Sequence, residues 1–128
     1  MEGVIIKKEG DPVMQISVML QNRVGSLSSL MKLIRANGEE IVGFSMQDAR
    51  DATIIRLILT DPEKIRRLFQ EKGIPHTTCH MVVVAMRDAS SDMEKCLQTL
   101  HSGETNIDFA YTMLAQPDGK CLVAFHLC

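Results

Sequence analysis

Residues 21–30 read QNRVGSLSSL, and two periodicities meet inside them. Upstream, residues 13–21 (VMQISVMLQ) alternate: Met14, Ile16, Val18 and Leu20 fall on one side, and Gln15, Ser17 and Gln21 on the other. A period of two is that of a half-buried strand. Downstream, Leu27, Leu30, Met31 and Ile34 recur at i, i+3, i+4 and i+7, while Ser28, Ser29, Lys32 and Arg35 face water. That spacing predicts an amphipathic helix, ended by Asn37-Gly38. Gly25 stands at the junction. It serves a tight strand-to-helix turn with Ser26 as cap, or it leaves backbone N–H groups bare for a ligand.

The same reading extends outward. Residues 40–48 and 52–60 are strand-like and flank the turn-like stretch 48–51, so they form a hairpin. Asp61-Pro62 supplies an N-cap and a first-turn proline. Ile65, Leu68 and Phe69 make the buried stripe of a second helix, which Gly73 stops. Residues 75–86, PHTTCHMVVVAM, are rich in β-branched residues and form another strand. The order β-α-β-β-α-β implies an α+β, ferredoxin-like unit. Its antiparallel sheet carries both helices on one face, with the first and third strands adjacent.

Sliding the chain against itself reveals a repeat. At an offset of 67, Met14 meets Met81, Met19 meets Met86, Leu30 meets Leu97, Leu33 meets Leu100, Met46 meets Met113, Asp51 meets Asp118 and Phe44 meets Tyr111. The elements recur in the same order. A strand at 81–87 is followed by a helix from about Ser90 to His101 and a hairpin of 106–115 with 120–127 around Gln116-Pro-Asp-Gly119. The second copy is βαββ, without the final helix and strand. No breaker interrupts 76–86, so one long strand serves both copies. The expected organisation is an N-terminal arm (1–12), a first unit (13–80) and a second, truncated unit (81–128).

Composition narrows the function. The chain has 128 residues, is 45% hydrophobic and 23% charged, and has a formal net charge of −2. Neither a nucleic-acid nor an anionic-membrane partner follows from such a balance. RNA recognition on a sheet needs exposed aromatics, and the chain has one Tyr and four Phe. No apolar run is long enough to span a bilayer, and the N-terminus MEGVIIKKEGDP lacks the apolar core of a signal peptide. A cytoplasmic location is expected, with the four cysteines as free thiols. Cys79-His80, His76, Cys121, His126 and Cys128 carry metal-ligating side chains, but no C-x-x-C is present and adjacent strand residues point to opposite faces, which argues against a metal site. No nucleophile–base constellation is recognisable, so neither catalysis nor a cofactor is expected.

Asn22-Arg23-Val24-Gly25-Ser26-Leu27 lies between the first strand and first helix of a β-α-β-β-α-β unit. It resembles the Asn/Asp-x-Pro-Gly-x-Leu pattern of ACT domains, small ligand-binding regulatory modules. Val24 stands where that pattern has Pro, which leaves the loop less rigid. The resemblance covers 13–86 and, as a truncated copy, 81–128. It implies a tandem ACT protein sensing an amino acid or similar carboxylate. The amides of Gly25, Ser26 and Leu27 would receive the carboxylate and Asn22 would orient the polar end. Gly43, Phe44, Ser45 and Met46 of a neighbouring copy would form the other wall, which implies a homodimer. At the same offset Gly25 is matched by Asp92 and Asn22 by Ala89, so the second site is expected to be lost. The alternative is the same fold without a ligand, an interaction or oligomerisation module docking on a metabolic enzyme.

Overall fold

A computed structural model describes residues 12–21 and 23–127. Most of the expected N-terminal arm, Asn22 and Cys128 lie outside the described residues. The element order is β1 (Val13–Gln21), α1 (Ser26–Ala36), β2 (Ile41–Ala49), β3 (Ala52–Leu59), α2 (Pro62–Lys72), β4 (His76–Met86), α3 (Ala89–Ser102), β5 (Ile107–Thr112) and β6 (Cys121–Leu127). The chain packs as two compact units, the first being Met14–Cys79 and the second holding His80 onward. β4 runs through the boundary without interruption.

In the first unit β3 pairs antiparallel with both β2 and β1, so the first and third strands are neighbours and β2 lies at an edge. Ile16 opposes Leu57 and Val18 opposes Ile55 across that pairing. These four residues join Leu59, Leu30 and Ile34 of α1, and Ile65 and Phe69 of α2, in one core. Both helices therefore cover the same face, as the α+β reading requires. Leu27, Met31 and Leu68 are half-buried against that cluster. The α1 stripe thus packs as its spacing predicts. Gly73 closes α2 at φ 67°, and Ile74 N–H donates to Phe69 O at 2.8 Å. That left-handed position is one where glycine carries no Cβ penalty.

Two local expectations are corrected. Gln15 is not on a water-facing surface; it is 1% exposed. Its amide is accommodated because Nε2 donates to Ser17 Oγ at 3.1 Å and to Cys79 Sγ at 3.2 Å. Asp61 occupies the N-cap position of α2, but its side chain caps nothing. Instead its own N–H, together with the Thr60 hydroxyl, donates to Glu39 Oε2, each at 2.7 Å.

The second unit repeats the first: β6 pairs antiparallel with both β4 and β5, and α3 packs on Met86, Val123 and Phe125 through Met93 and Cys96. Each copy also carries a β-bulge at its edge strand. Val42 is the extra residue between the Ile41–Leu59 and Gly43–Ile58 pairs, and Asp108 between Ile107–Leu127 and Phe109–His126. The bulge at 108 places Asp108 Oδ2 to accept from His126 Nδ1 at 2.7 Å, while the Phe109 ring stacks on that imidazole at 4.9 Å.

These features revise the repeat register. The apolar positions of α1 map onto α3 at an offset of 66, with Leu27, Leu30, Met31 and Ile34 answering to Met93, Cys96, Leu97 and Leu100. The two bulges obey the same offset. The ungapped offset of 67 is therefore one residue out for these features: half of its six identities are scattered methionines, and they do not follow the packing face. The hairpin is also shorter than expected. β5 ends at Thr112, and a 3₁₀ turn at Pro117–Gly119 leads into β6.

Candidate functional site

Gly25 adopts φ 89° and ψ −11°, the left-handed region, as the N-cap of α1. A Cβ built on it would meet nothing within 4 Å. The requirement for glycine here is therefore conformational rather than one of space. The loop holds itself through three backbone bonds: Arg23 N–H to Gln21 O at 2.8 Å, Ser26 N–H to Arg23 O at 3.2 Å and Ser29 N–H to Gly25 O at 2.9 Å. Ser26 is the first helical residue, not the cap, and no side chain caps this end. Its N–H is committed to Arg23 O, so the expected trio of amides is reduced. Among the described residues no acceptor meets the N–H of Gly25 or Leu27.

The electrostatics of this helix end differ from those of the other two. α2 has Glu63 in its first turn and α3 has Asp92, whereas α1 has no acidic residue there. The positive end of its dipole is left without a carboxylate of its own, and Arg23 stands beside it. Beside the loop opens a cleft of about 500 Å³. Leu20, Leu30, Leu33, Val24 and Ile74 give it apolar walls, and Arg23, Gly25, Ser26 and Ser29 its polar side.

The structure brings Arg23, Val24, Gly25 and Ser26 together on that cleft, with Leu27 turned partly into the core. Asn22 lies outside the described residues. The four β2 candidates divide between two faces. Phe44 and Met46 oppose Leu57 and Ile55 on the helix-bearing face, while Gly43 and Ser45 oppose Ile58 and Arg56 on the other. Gly43 is buried, and a Cβ there would come within 3.0 Å of Ile58 Cβ. Met46 is 58% exposed on the edge strand. Sequence reasoning missed Leu20, Ser29, Leu33 and Ile74. Ser29 and Leu33 sit one helical turn and two turns beyond Ser26, a spacing that marks a shared flank. Nothing local to Ile74 places it there.

At the equivalent end of α3 the amides are occupied. Asp88, not Asp92, is the N-cap answering to Gly25, because the connection from β4 is two residues (87–88) where that from β1 is four (22–25). Asp88 Oδ1 accepts from Ser91 N–H at 3.5 Å, and Asp92 Oδ2 accepts from Arg87 N–H at 2.9 Å and Asp88 N–H at 3.2 Å. This is a reciprocal arrangement like a capping box, and it places two carboxylates where an anion would have to sit.

Elsewhere, burial pushes the Cys79 thiol pKa up, an effect opposed by the nearby Arg56 guanidinium; burial likewise raises that of Cys96. No group of three or more metal-ligating side chains occurs among the described residues. Nor is any described helix long and apolar enough to cross a membrane.

The fold has counterparts among solved structures. Among solved structures the chain is similar to a protein of Bacteroides thetaiotaomicron, with 17% identity, a TM-score of 0.83, and 94% of this chain and 82% of that one covered. It is also similar to the ligand-free regulatory subunit of aspartate kinase from Thermus thermophilus, with 12% identity, a TM-score of 0.60 and coverage of 91% and 83%. The corresponding subunit from Thermus flavus gives 14% identity, a TM-score of 0.54 and coverage of 92% and 88%. These likenesses are of fold. No match emerges among curated proteins. The family model for an ACT domain pair matches residues 12–126, nearly the whole chain. The chain therefore belongs to the ACT domain pair family.

Proposed function

We propose that this ACT pair is a regulatory, non-catalytic protein that senses an amino acid or similar small carboxylate with an aliphatic side chain, bound in the cleft beside Gly25. The observation that carries the reading is the uncapped, acid-free N-terminus of α1 opening on that cleft. The carboxylate would receive the N–H groups of Gly25 and Leu27, with Arg23 adding positive charge. Leu20, Leu30, Leu33 and Ile74 would enclose the aliphatic part. Asn22 is proposed to orient the ligand's polar end. A second copy pairing along the β2 edge would add Phe44 and Met46, making the protein a homodimer. Gly43 and Ser45 would support that strand from its other face. Two structural neighbours being regulatory subunits supports the regulatory role, and the cytoplasmic location is part of the same reading.

The test is thermal denaturation against the twenty amino acids and their 2-oxo acid counterparts. A ligand held only by the folded state stabilises by mass action, about 2.7 kcal/mol at a hundredfold excess over Kd. Stabilisation by an aliphatic member, lost in a Gly25→Val variant, supports the site. A flat response across the panel favours the second reading, a ligand-free module that docks on an enzyme. The observation behind that reading is Val24, an apolar side chain fully exposed at the loop tip.

A further inference from the structure

Asn37-Gly38, which ends α1, sets a side-chain amide beside an unhindered main-chain nitrogen. The chain has three asparagines, followed by Arg23, Gly38 and Ile107. Asparagine amides are among the chemically labile groups of proteins. The main-chain nitrogen of the next residue can attack the amide carbon, and a side chain on that residue crowds the approach. Gly38 has none. Asn37 is half-buried and Gly38 exposed, so water reaches the pair.

The folded backbone keeps the reacting atoms apart. Asn37 has φ −95° and ψ 12°. Ring closure needs the Gly38 nitrogen on the Cβ side of Asn37, and at that ψ it lies over the Asn37 nitrogen instead. The Gly38 N–H donates to Arg35 O at 3.0 Å, and Asn37 Nδ2 donates to Leu33 O at 2.8 Å. The following residue is clasped to a different element. Glu39 Oε2 accepts from the Thr60 hydroxyl and from the Asp61 N–H, each at 2.7 Å, at the start of α2. The dipeptide is therefore tied on both sides.

We propose that Asn37-Gly38 is a site of spontaneous covalent modification, gated by opening of the α1 C-terminus, with the Glu39 clasp holding the gate. When this end frays, the Gly38 nitrogen bonds to Asn37 Cγ. The Cγ–Nδ2 bond breaks, and ammonia leaves with the proton that the Gly38 nitrogen gives up. Water then adds to one carbonyl of the succinimide and breaks that carbon's bond to nitrogen. Addition at the side-chain carbonyl leaves aspartate; addition at the main-chain carbonyl leaves isoaspartate. Either product carries one more negative charge, has no N–H for Leu33 O, and stands at the negative end of the α1 dipole. The inference is independent of the ligand reading.

The test incubates the full chain in mildly alkaline buffer, folded or unfolded in urea. Aspartate and isoaspartate at each asparagine are read by peptide mass spectrometry and by enzymatic isoaspartyl methylation. Position 37 is expected to convert ahead of 22 and 106, and about tenfold or more slowly in the folded chain than in the unfolded one. Glu39→Ala is expected to speed conversion of the folded chain roughly three- to tenfold, by removing hydrogen bonds to a carboxylate, and to leave the unfolded rate unchanged. Gln15→Ala weakens the same unit from β1 and is expected to stay within about twofold of the wild type, because the opening is local. Should Glu39→Ala fail to fold, Thr60→Val, which removes one of the two clasp donors, takes its place with the same sign. An Asn37 that survives in urea, equal rates folded and unfolded, a clasp variant no faster than the wild type, or Gln15→Ala as fast as the clasp variant would each overturn the proposal.

Discussion

Gln15 Nε2 donates to Cys79 Sγ at 3.2 Å, joining the start of β1 to the start of β4 across the first unit. The amide is 1% exposed, so its satisfaction has consequences for stability.

Burial raises the Cys79 thiol above its ordinary value of 9.0. The sign follows from linkage. The folded state holds the proton to higher pH than the unfolded chain does, so this stabilisation is full below pH 9.0 and is lost as pH rises through the folded value. Urea midpoints are expected to fall between neutral pH and alkaline pH, with part of the fall absent in Cys79→Ala. Gln15→Ala removes a buried amide and its packing and is expected to cost about 1–3 kcal/mol at pH 7. Equal midpoints for Gln15→Ala and wild type would contradict this account.

Gly25→Ala is expected to lower stability by about 1–2 kcal/mol through its positive φ alone, since the added methyl meets no neighbour. Gly25→Val adds β-branching and is expected to cost more. Chemical denaturation of the two variants checks the order. Were steric contact the cause instead, Gly25→Ala would be nearly as harmful as Gly25→Val.

Gly43 presents the converse case, with space limiting rather than φ. A Cβ there approaches Ile58 Cβ, Cγ1 and Cδ1 at 3.0, 3.2 and 3.1 Å. Gly43→Ala is expected to destabilise by about 1–3 kcal/mol, the usual range for overpacking. Trimming Ile58 to Val is expected to recover only part of this, because the Cβ contact persists. The measurement is a double-mutant cycle by urea denaturation.

Asp88 and Asp92 hold the N-terminus of α3 through three backbone N–H groups. Asp92→Ala removes the two shorter bonds and a favourable dipole interaction, and is expected to cost about 1 kcal/mol. Asp88→Ala, whose bond is 3.5 Å, is expected to cost less. Neither change creates an anion site, because the connection from β4 remains two residues long. Calorimetric titration of an Asp92→Gly variant with a ligand of the first site should show unchanged affinity.

Strand and helix periods were legible because one buried face imposes them. Ile16 with Val18, Leu30 with Ile34, and Ile65 with Phe69 each carry the signal of their element. What the sequence concealed was tertiary. Gln15 looks polar and solvent-facing until Ser17 and Cys79 are seen to accept from it. Asp61 looks like a capping residue until Glu39 claims its N–H. The cleft was half visible: Gly25 marks its mouth, but Ile74 reaches its wall from 49 positions away with no local sign. The repeat was visible as an element order, and its register is carried by the packing faces of α1 and α3 and by the bulge that each copy holds at the same place, which residue identities do not report.

The pairing of the strands carries a last consequence, for how the molecule breathes. β3 is hydrogen-bonded on both sides by β1 and β2, and β6 on both sides by β4 and β5, whereas among the described residues β2 and β5 have one neighbour each. Amide protons of β3 and β6 are therefore released to solvent only when a whole unit opens, and those of β2 and β5 exchange first through local fraying. The strands that exchange soonest are the ones whose outer edges no described strand covers, so association along those edges would slow their exchange before it altered that of β3 or β6.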